Sequence, residues 1–186
     1  MSRVSQTQAQ ENRQRVVEIA SRLFREQGTH VSVADLMKAA GLTHGGFYKQ
    51  FASKGALVDE ATAHAFGELA QLHTAGLERH AGQREAAQRE LIDTYLSVEH
   101  RDNAADGCPA AGLAADMARA GGNREAHRVY AEGVRAFADS LATEDQDGIT
   151  RLCTMLGALV LARATLDSPL SEEILTTARA ALTASG

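Results

Sequence analysis

Thr43, His44, Tyr48, Lys49, Gln50 and Lys54 gather hydroxyls, an imidazole, an amide and two ammonium groups into one short stretch of this chain. Donors and cations of this kind hold a polyanion; they do not by themselves break bonds. The glycine pair Gly45-Gly46 permits close backbone approach but offers no side-chain hydrogen bond, so reading of base edges would fall to few residues. Bond-breaking chemistry has no comparable cluster: no nucleophile elbow, Walker loop or paired catalytic carboxylates occur. The seven histidines form no HxxxH or HExxH pattern, and His73 and His80, seven apart, have no acidic ligand set beside them. Cys108 and Cys153 lie far apart without CxxC spacing, so neither a disulfide framework nor a zinc site is expected. The chain should bind rather than catalyse, with no metal and no cofactor.

The elements that must position this cluster are legible around it. Ser32 can cap a helix, with Asp35 three residues on as a first-turn carboxylate. Leu36, Ala39 and Ala40 then share a face, and Gly41 ends the helix where a positive φ is cheap. Leu42 is an apolar plug. Thr43 is expected to cap a second helix, with Phe47 and Phe51 four apart on its inner face and His44, Tyr48 and Lys49 outward. Ser53 and Lys54 open a third. Helix, glycine turn, helix is the grammar of a helix-turn-helix DNA reader. The candidate DNA-contacting set is Ser32, Thr43, His44, Gly45, Gly46, Tyr48, Lys49, Gln50 and Lys54.

The run Gly41-Leu42-Thr43-His44-Gly45-Gly46-Phe47-Tyr48-Lys49-Gln50-Phe51 resembles the DNA-binding signature of the TetR family of bacterial transcriptional regulators. The resemblance extends back through Arg13–Phe24 and forward to Lys54 and Leu57, about the first third of the chain. It implies that Thr43, Tyr48 and Lys54 contact backbone phosphates and that His44, Gly45 and Gly46 face the major groove. It also implies a homodimer on a palindromic double-stranded operator and a role as repressor rather than activator. Two positions depart from the family pattern. Met37 stands where a small residue is usual, which predicts looser or shifted packing of the two reader helices. Gly46 replaces a commoner Ser or Thr.

Charge agrees once the chain is divided. Taken whole, the net charge of −5 disfavours nucleic acid, but residues 1–55 hold eight Lys and Arg against four acids, whereas the remainder holds eleven against twenty. A basic head on an acidic body concentrates attraction for phosphate at one end. Two prolines, no tryptophan and abundant Ala, Leu, Glu and Arg in 186 residues favour an all-α protein with a core of its own. The N-terminus lacks the apolar stretch of a signal peptide, and the run Met155–Ala162 is far short of a bilayer span, so the expected setting is cytoplasmic and reducing, with no membrane partner.

About nine helices are expected, in a helix-turn-helix domain over 1–52 and an effector-binding and dimerisation domain over 53–186. Residues 1–10 are expected to be mobile, and the first helix to run over 11–27. A long helix over 53–79 would connect the reader to the body, and others follow at 84–100, 110–120, from Asn123, at 145–166 and from Ser168. Gly121-Gly122 would end the helix at 110–120, and Arg101–Gly107 reads as a polar loop. Helix 145–166, apolar nearly all round, needs cover on more than one side. Leu152, Leu156, Leu159, Val160, Ile174 and Leu182 are the candidate dimer interface. Tyr95, Cys108, Met117, Tyr130, Phe137 and Met155 are candidate lining of a pocket for an unidentified small-molecule effector, enclosed by the helices from 84 to 166.

Cys108 stands before Pro109, at the start of a helix, beside a polar loop. Partial exposure and an accessible thiolate are expected there, and a buried, inert thiol at Cys153. The segment GCPAAGLAADMAR also resembles one in a subgroup of the family. Two alternatives to a ligand-released repressor stay open: a thiol-based electrophile or redox sensor acting through Cys108, and a helical interaction module without DNA binding.

Overall fold

The stripe Val16, Val17, Ala20 and Phe24 is buried to within a few per cent, and the helix that carries it, α1 (Arg3–Gln27), is the floor of the reader. The computed structural model describes residues 3–120 and 125–184. The helix begins at Arg3, so the stretch to residue 10 expected to be mobile is helical. Its exposed polar side chains bond along the helix, the Gln8 amide donating to Glu11 and Asn12. After α1 come α2 (Val33–Ala39), a 3-10 helix (His44–Lys49), α3 (Lys54–Arg79), α4 (Arg84–Tyr95), α5 (Val98–Asp102), α6 (Pro109–Arg119), α7 (Glu125–Leu141), α8 (Gly148–Ala164) and α9 (Leu170–Thr183). Every regular element among the described residues is helical. Gly121-Gly122 and Asn123, expected to separate two helices, lie outside them.

Two expected helices differ in form. The one predicted over 84–100 is broken after Tyr95, because the Ser97 hydroxyl accepts from the His100 N–H and starts α5 afresh. The reading helix is 3-10 rather than α. Two glycines in succession carry a helix penalty of roughly 1 kcal/mol each, and a short, tighter i→i+3 turn is what the segment adopts instead. Thr43 occupies its N-cap position, but its hydroxyl makes no capping bond, so its expected role as a side-chain cap is corrected. Ser32 and Ser53 do cap α2 and α3, accepting from the N–H groups of Asp35 and Ala56 at 3.1 Å each.

Two apolar cores divide the chain, and α3 serves both. Its N-terminal half gives Leu57 and Ala61 to the reader core with Phe24, Leu36, Met37, Phe47 and Phe51, while Phe66 enters the body core. The body core joins Ile92 and Tyr95 of α4 and the adjoining Leu96 to Phe137 and Leu141 of α7, Leu152, Met155 and Leu159 of α8, and Leu175 and Leu182 of α9. The reader core does not close within the first 52 residues: Leu113 and Met117 of α6 and Ala126 of α7 complete it. Met37 is fully buried, and a Cβ added at Gly46 would lie 3.5 Å from its methyl, an ordinary contact. The two departures from the family pattern therefore adjoin one another.

Helix α6 reaches α1 by close backbone approach. A Cβ at Gly112 would come within 2.9 Å of the Arg25 carbonyl oxygen and 3.0 Å of its Cα, main-chain atoms that cannot rotate away. Gly112→Ala is therefore expected to cost about 1–3 kcal/mol in urea unfolding, the range of overpacking substitutions. Gly67→Ala, in mid-helix α3 with open space around it, should be neutral or stabilising by up to about 1 kcal/mol. Equal effects of the two would show that Gly112 sets no helix spacing.

Candidate nucleic-acid interface and cavity

The 3-10 helix is held from beneath by aromatic packing. Phe47 and Phe51 are buried and stacked with centroids 5.4 Å apart. The Arg13 guanidinium of α1 lies 4.8 Å over the Phe51 ring, donates to the Gln50 carbonyl at 3.4 Å and pairs with Glu60 of α3. Fixing Phe47 inward turns the adjacent Tyr48 outward. Its ring stands edge-on to Phe47 at 5.1 Å and is 67% exposed. Thr43, His44, Gly45 and Lys49 are exposed on the same element, and Gly46 is half-buried.

Three candidate contacts have other engagements. The Ser32 hydroxyl is exposed but caps α2 and donates to the Asp35 carboxylate at 2.6 Å. Gln50 is half-buried with its side-chain oxygen enclosed and unpartnered. Lys54, the first residue of α3, is half-buried in a notch of about 250 Å³ with Thr29 of the reader and Asp116 and His127 of the body.

That notch adjoins one of the joints between reader and body. The Asp116 carboxylate of α6 accepts from the Thr29 N–H at 2.5 Å and from Arg119 at 3.0 Å, and these bonds hold its pKa below the usual carboxylate range against partial burial. The larger joint is Arg25, 7% exposed. Its guanidinium donates to the Ser21 carbonyl in its own helix, to the Gly107 carbonyl before α6 at 3.2 Å, and to Glu68 of α3 at 3.0 Å. Sequence reasoning treated Arg25 only as one more basic residue. The available signal was its spacing, four and eight residues beyond Ser21 and Val17, which puts it on the buried side of α1.

Arg25 and Glu68 also lie in the wall of a cavity of about 1020 Å³ between the C-terminal half of α3, α4 and the segment leading into α6. Leu69, Leu72 and His73 of α3, Leu91 and Tyr95 of α4, His100 and Cys108 are among its lining. Of the six residues expected to line a pocket, Tyr95 and Cys108 do so. Met117 closes the reader core, Phe137 and Met155 fill the body core, and Tyr130 bridges the cores with its hydroxyl on the Ala110 carbonyl at 2.6 Å. His73 and His100, outside the candidate lining, are wall residues as well.

Cys108 is the N-cap of α6, as expected, but it is only 4% exposed. Burial pushes its thiol pKa up, outweighing the favourable contacts with Tyr95 and the Ala111 and Ala110 amides. The expected accessible thiolate is corrected. Cys153 is the exposed cysteine, on the outer side of α8, not the buried one expected. Its neighbours there, Ile149, Leu156, Val160 and Leu161, form an apolar strip on which Val160 is 44% and Leu161 56% exposed. Leu152, Leu159 and Leu182 are buried inside the chain, so they cannot supply free surface. Leu156 and Ile174 are half-buried.

His100 locks the cavity floor. Its Nε2 accepts the Cys108 N–H at 3.1 Å, which fixes Nδ1 as the donor to the Tyr95 carbonyl at 2.7 Å. Burial first, and the Arg163 guanidinium after it, lower its pKa, while the Tyr95 carbonyl opposes them. The unfolded chain, with a histidine pKa of about 6.5, therefore takes up this proton first on acidification. Stability present above that value should fall as pH drops through it towards the lower folded pKa. Urea midpoints measured at pH 7.5 and 5.5 should decrease in wild type and change less in His100→Gln. An equal decrease in both would remove His100 as the cause.

Comparison with known proteins bears first on the reader. Residues 16–61 match the family described as bacterial regulatory proteins, tetR family. The HTH-type transcriptional regulator AcrR of Shigella flexneri is 31% identical over 93 residues, covering 50% of this chain and 43% of that protein, so the match spans less than half of the curated relative. Across the whole chain the fold is similar to a TetR transcriptional regulator from Chloroflexus aurantiacus, with 23% identity, 96% and 95% of the two chains covered and a TM-score of 0.76. It is also similar to reduced NemR of Escherichia coli, with 19% identity, 92% and 95% coverage and a TM-score of 0.71. Likeness at these identities is one of fold.

Proposed function

We propose that this chain, whose residues 16–61 match the tetR family of bacterial regulatory proteins, is a homodimeric, sequence-specific DNA-binding repressor released from a palindromic operator by a small molecule. The observation that carries the DNA reading is the outward Tyr48, braced by buried Phe47 on a segment that also exposes Thr43, His44 and Lys49. A phenol, a hydroxyl and an ammonium group on one convex element suit phosphate oxygens, with His44 and the Gly45-Gly46 backbone towards base edges. One short reading element spans few base pairs, so two copies about a two-fold axis would supply specificity.

Duplexes selected from a random pool with the purified protein should be imperfect palindromes, bound with affinity that falls steeply as salt rises. Tyr48→Phe and Lys54→Ala should each weaken binding by about 1–3 kcal/mol, similarly for all sequences, because both lose phosphate contacts rather than base reading. No binding above a random duplex at low salt would overturn the proposal.

The exposed strip of α8, with the half-buried Leu156 and Ile174, supports the dimer through α8 and α9 of each copy. Val160→Glu tests it cleanly, since a side chain already 44% exposed in the single chain can carry a carboxylate without unfolding it. The variant should keep wild-type helix content, sediment as a monomer and lose operator affinity. A wild-type monomer at micromolar concentration would rule this interface out.

A further inference from the structure

The 1020 Å³ cavity between α3, α4 and the start of α6 has an apolar wall of Leu69, Leu72, Leu77 and Leu91, and two sets of its polar groups bear on what it could hold. Every charged Arg, Asp and Glu side chain in the wall is already engaged. Arg25 pairs with Glu68, Arg79 with Glu90, and Asp106 with Arg22, while Arg84 donates to the Asp139 carbonyl at 2.8 Å. None is left over to neutralise an incoming ion, and an unpaired charge brought into such a site would be costly.

Two neutral groups are the opposite case. The Tyr95 hydroxyl, on a side chain 4% exposed, has no nitrogen or oxygen partner, and neither has Nε2 of His73, which is enclosed beside Phe137. The Cys108 thiol beside the Tyr95 hydroxyl offers it only the weak acceptor that sulfur is, which a ligand oxygen would outcompete. Burial raises the Tyr95 pKa well above its ordinary value and lowers that of His73, so both stand uncharged near neutral pH. A buried polar atom without a partner costs on the order of 1–3 kcal/mol, and a ligand oxygen that supplies the partner recovers it.

We propose that this cavity takes a neutral, mainly apolar molecule bearing a hydrogen-bond-accepting oxygen, which receives the Tyr95 hydroxyl proton, and that it rejects carboxylates and amines of the same size. The inference deepens the reading of a ligand-released regulator and rests on it for the consequence of binding, not for the chemistry of the ligand. Its position is suited to that consequence, because the wall includes Arg25 and Gly107, joined by the hydrogen bond that fastens α1 to the start of α6.

Three probes with one chain length separate the possibilities: decan-2-one, decanoate and decylammonium, titrated calorimetrically at pH 7 into the intact chain without DNA. The ketone should bind at least tenfold more tightly than either ion. Tyr95→Phe should weaken the ketone at least fivefold while leaving the melting temperature of the free protein unchanged or higher, since it removes a poorly satisfied hydroxyl rather than a strong bond. The chain has no tryptophan, so Leu72→Trp, at an exposed wall position, provides a local reporter whose emission should shift with the ketone. Absence of ketone binding, equal or tighter binding of an ion, full ketone affinity in Tyr95→Phe, or an unchanged emission from the Leu72→Trp variant would each overturn the proposal. Duplex release is measured separately. A ketone that binds as stated but leaves the duplex bound upholds the ligand class and refutes the release mechanism instead.

Discussion

A guanidinium sealed between three segments is the constraint on which the rest of the arrangement depends. Arg25 leaves α1 on its buried side and meets a carbonyl of its own helix, the Gly107 carbonyl and the Glu68 carboxylate. A buried charge of this kind adds little net stability when paired and costs several kcal/mol when one partner is removed. It therefore specifies geometry: α1, α3 and the start of α6 must keep the relation that satisfies all three bonds. Gly112 reinforces the same relation through contact alone, since α6 can lie against the Arg25 backbone only where no Cβ intervenes.

The outward chemistry of the reader follows from what is held inward. Phe47 and Phe51 are clamped between Arg13, α2 and α3, and the tight 3-10 turn gives the next side chain, Tyr48, no buried side to occupy. The glycine pair that makes the turn 3-10 also leaves its surface bare, which concentrates the available side-chain chemistry at His44, Tyr48 and Lys49. Lys54 stands beyond that turn, at the start of α3. It lies in the notch where Asp116 and His127 approach the reader, so displacement of α6 would reach it directly.

The cavity and the reader are joined through short, named links. His100 and Cys108 set the beginning of α6, Arg25 ties that beginning to α1, and Asp116 ties its end to Thr29 just after α1. Helix α6 thus touches the cavity with its first turn and the reader with its last. Burial of Cys108 gives this junction a packed, neutral character, and the exposed thiol of the molecule is Cys153 on the far side of α8.

The local grammar was legible from neighbouring residues alone: caps at Ser32 and Ser53, the glycine stop at Gly41, the inward Phe47 and Phe51 and the outward Tyr48. The sequence by itself also determined the all-helical class and the basic head. These depend on residues within a few positions of one another, whose preferences are nearly independent of distant packing. Tertiary structure decided where one apolar set ends and another begins. Leu152, Leu159 and Leu182 have the same composition as an interface yet are covered by their own chain, and Phe137 and Met155 have that of a pocket yet fill core. The Cys108–Cys153 inversion has the same origin, because α6 turns its first residue under Tyr95 and His100 while α8 turns Cys153 out to solvent. Periodicity says that a side chain lies on a given face of a helix; only the packing of helices remote in sequence decides whether that face meets a core, a cavity or water.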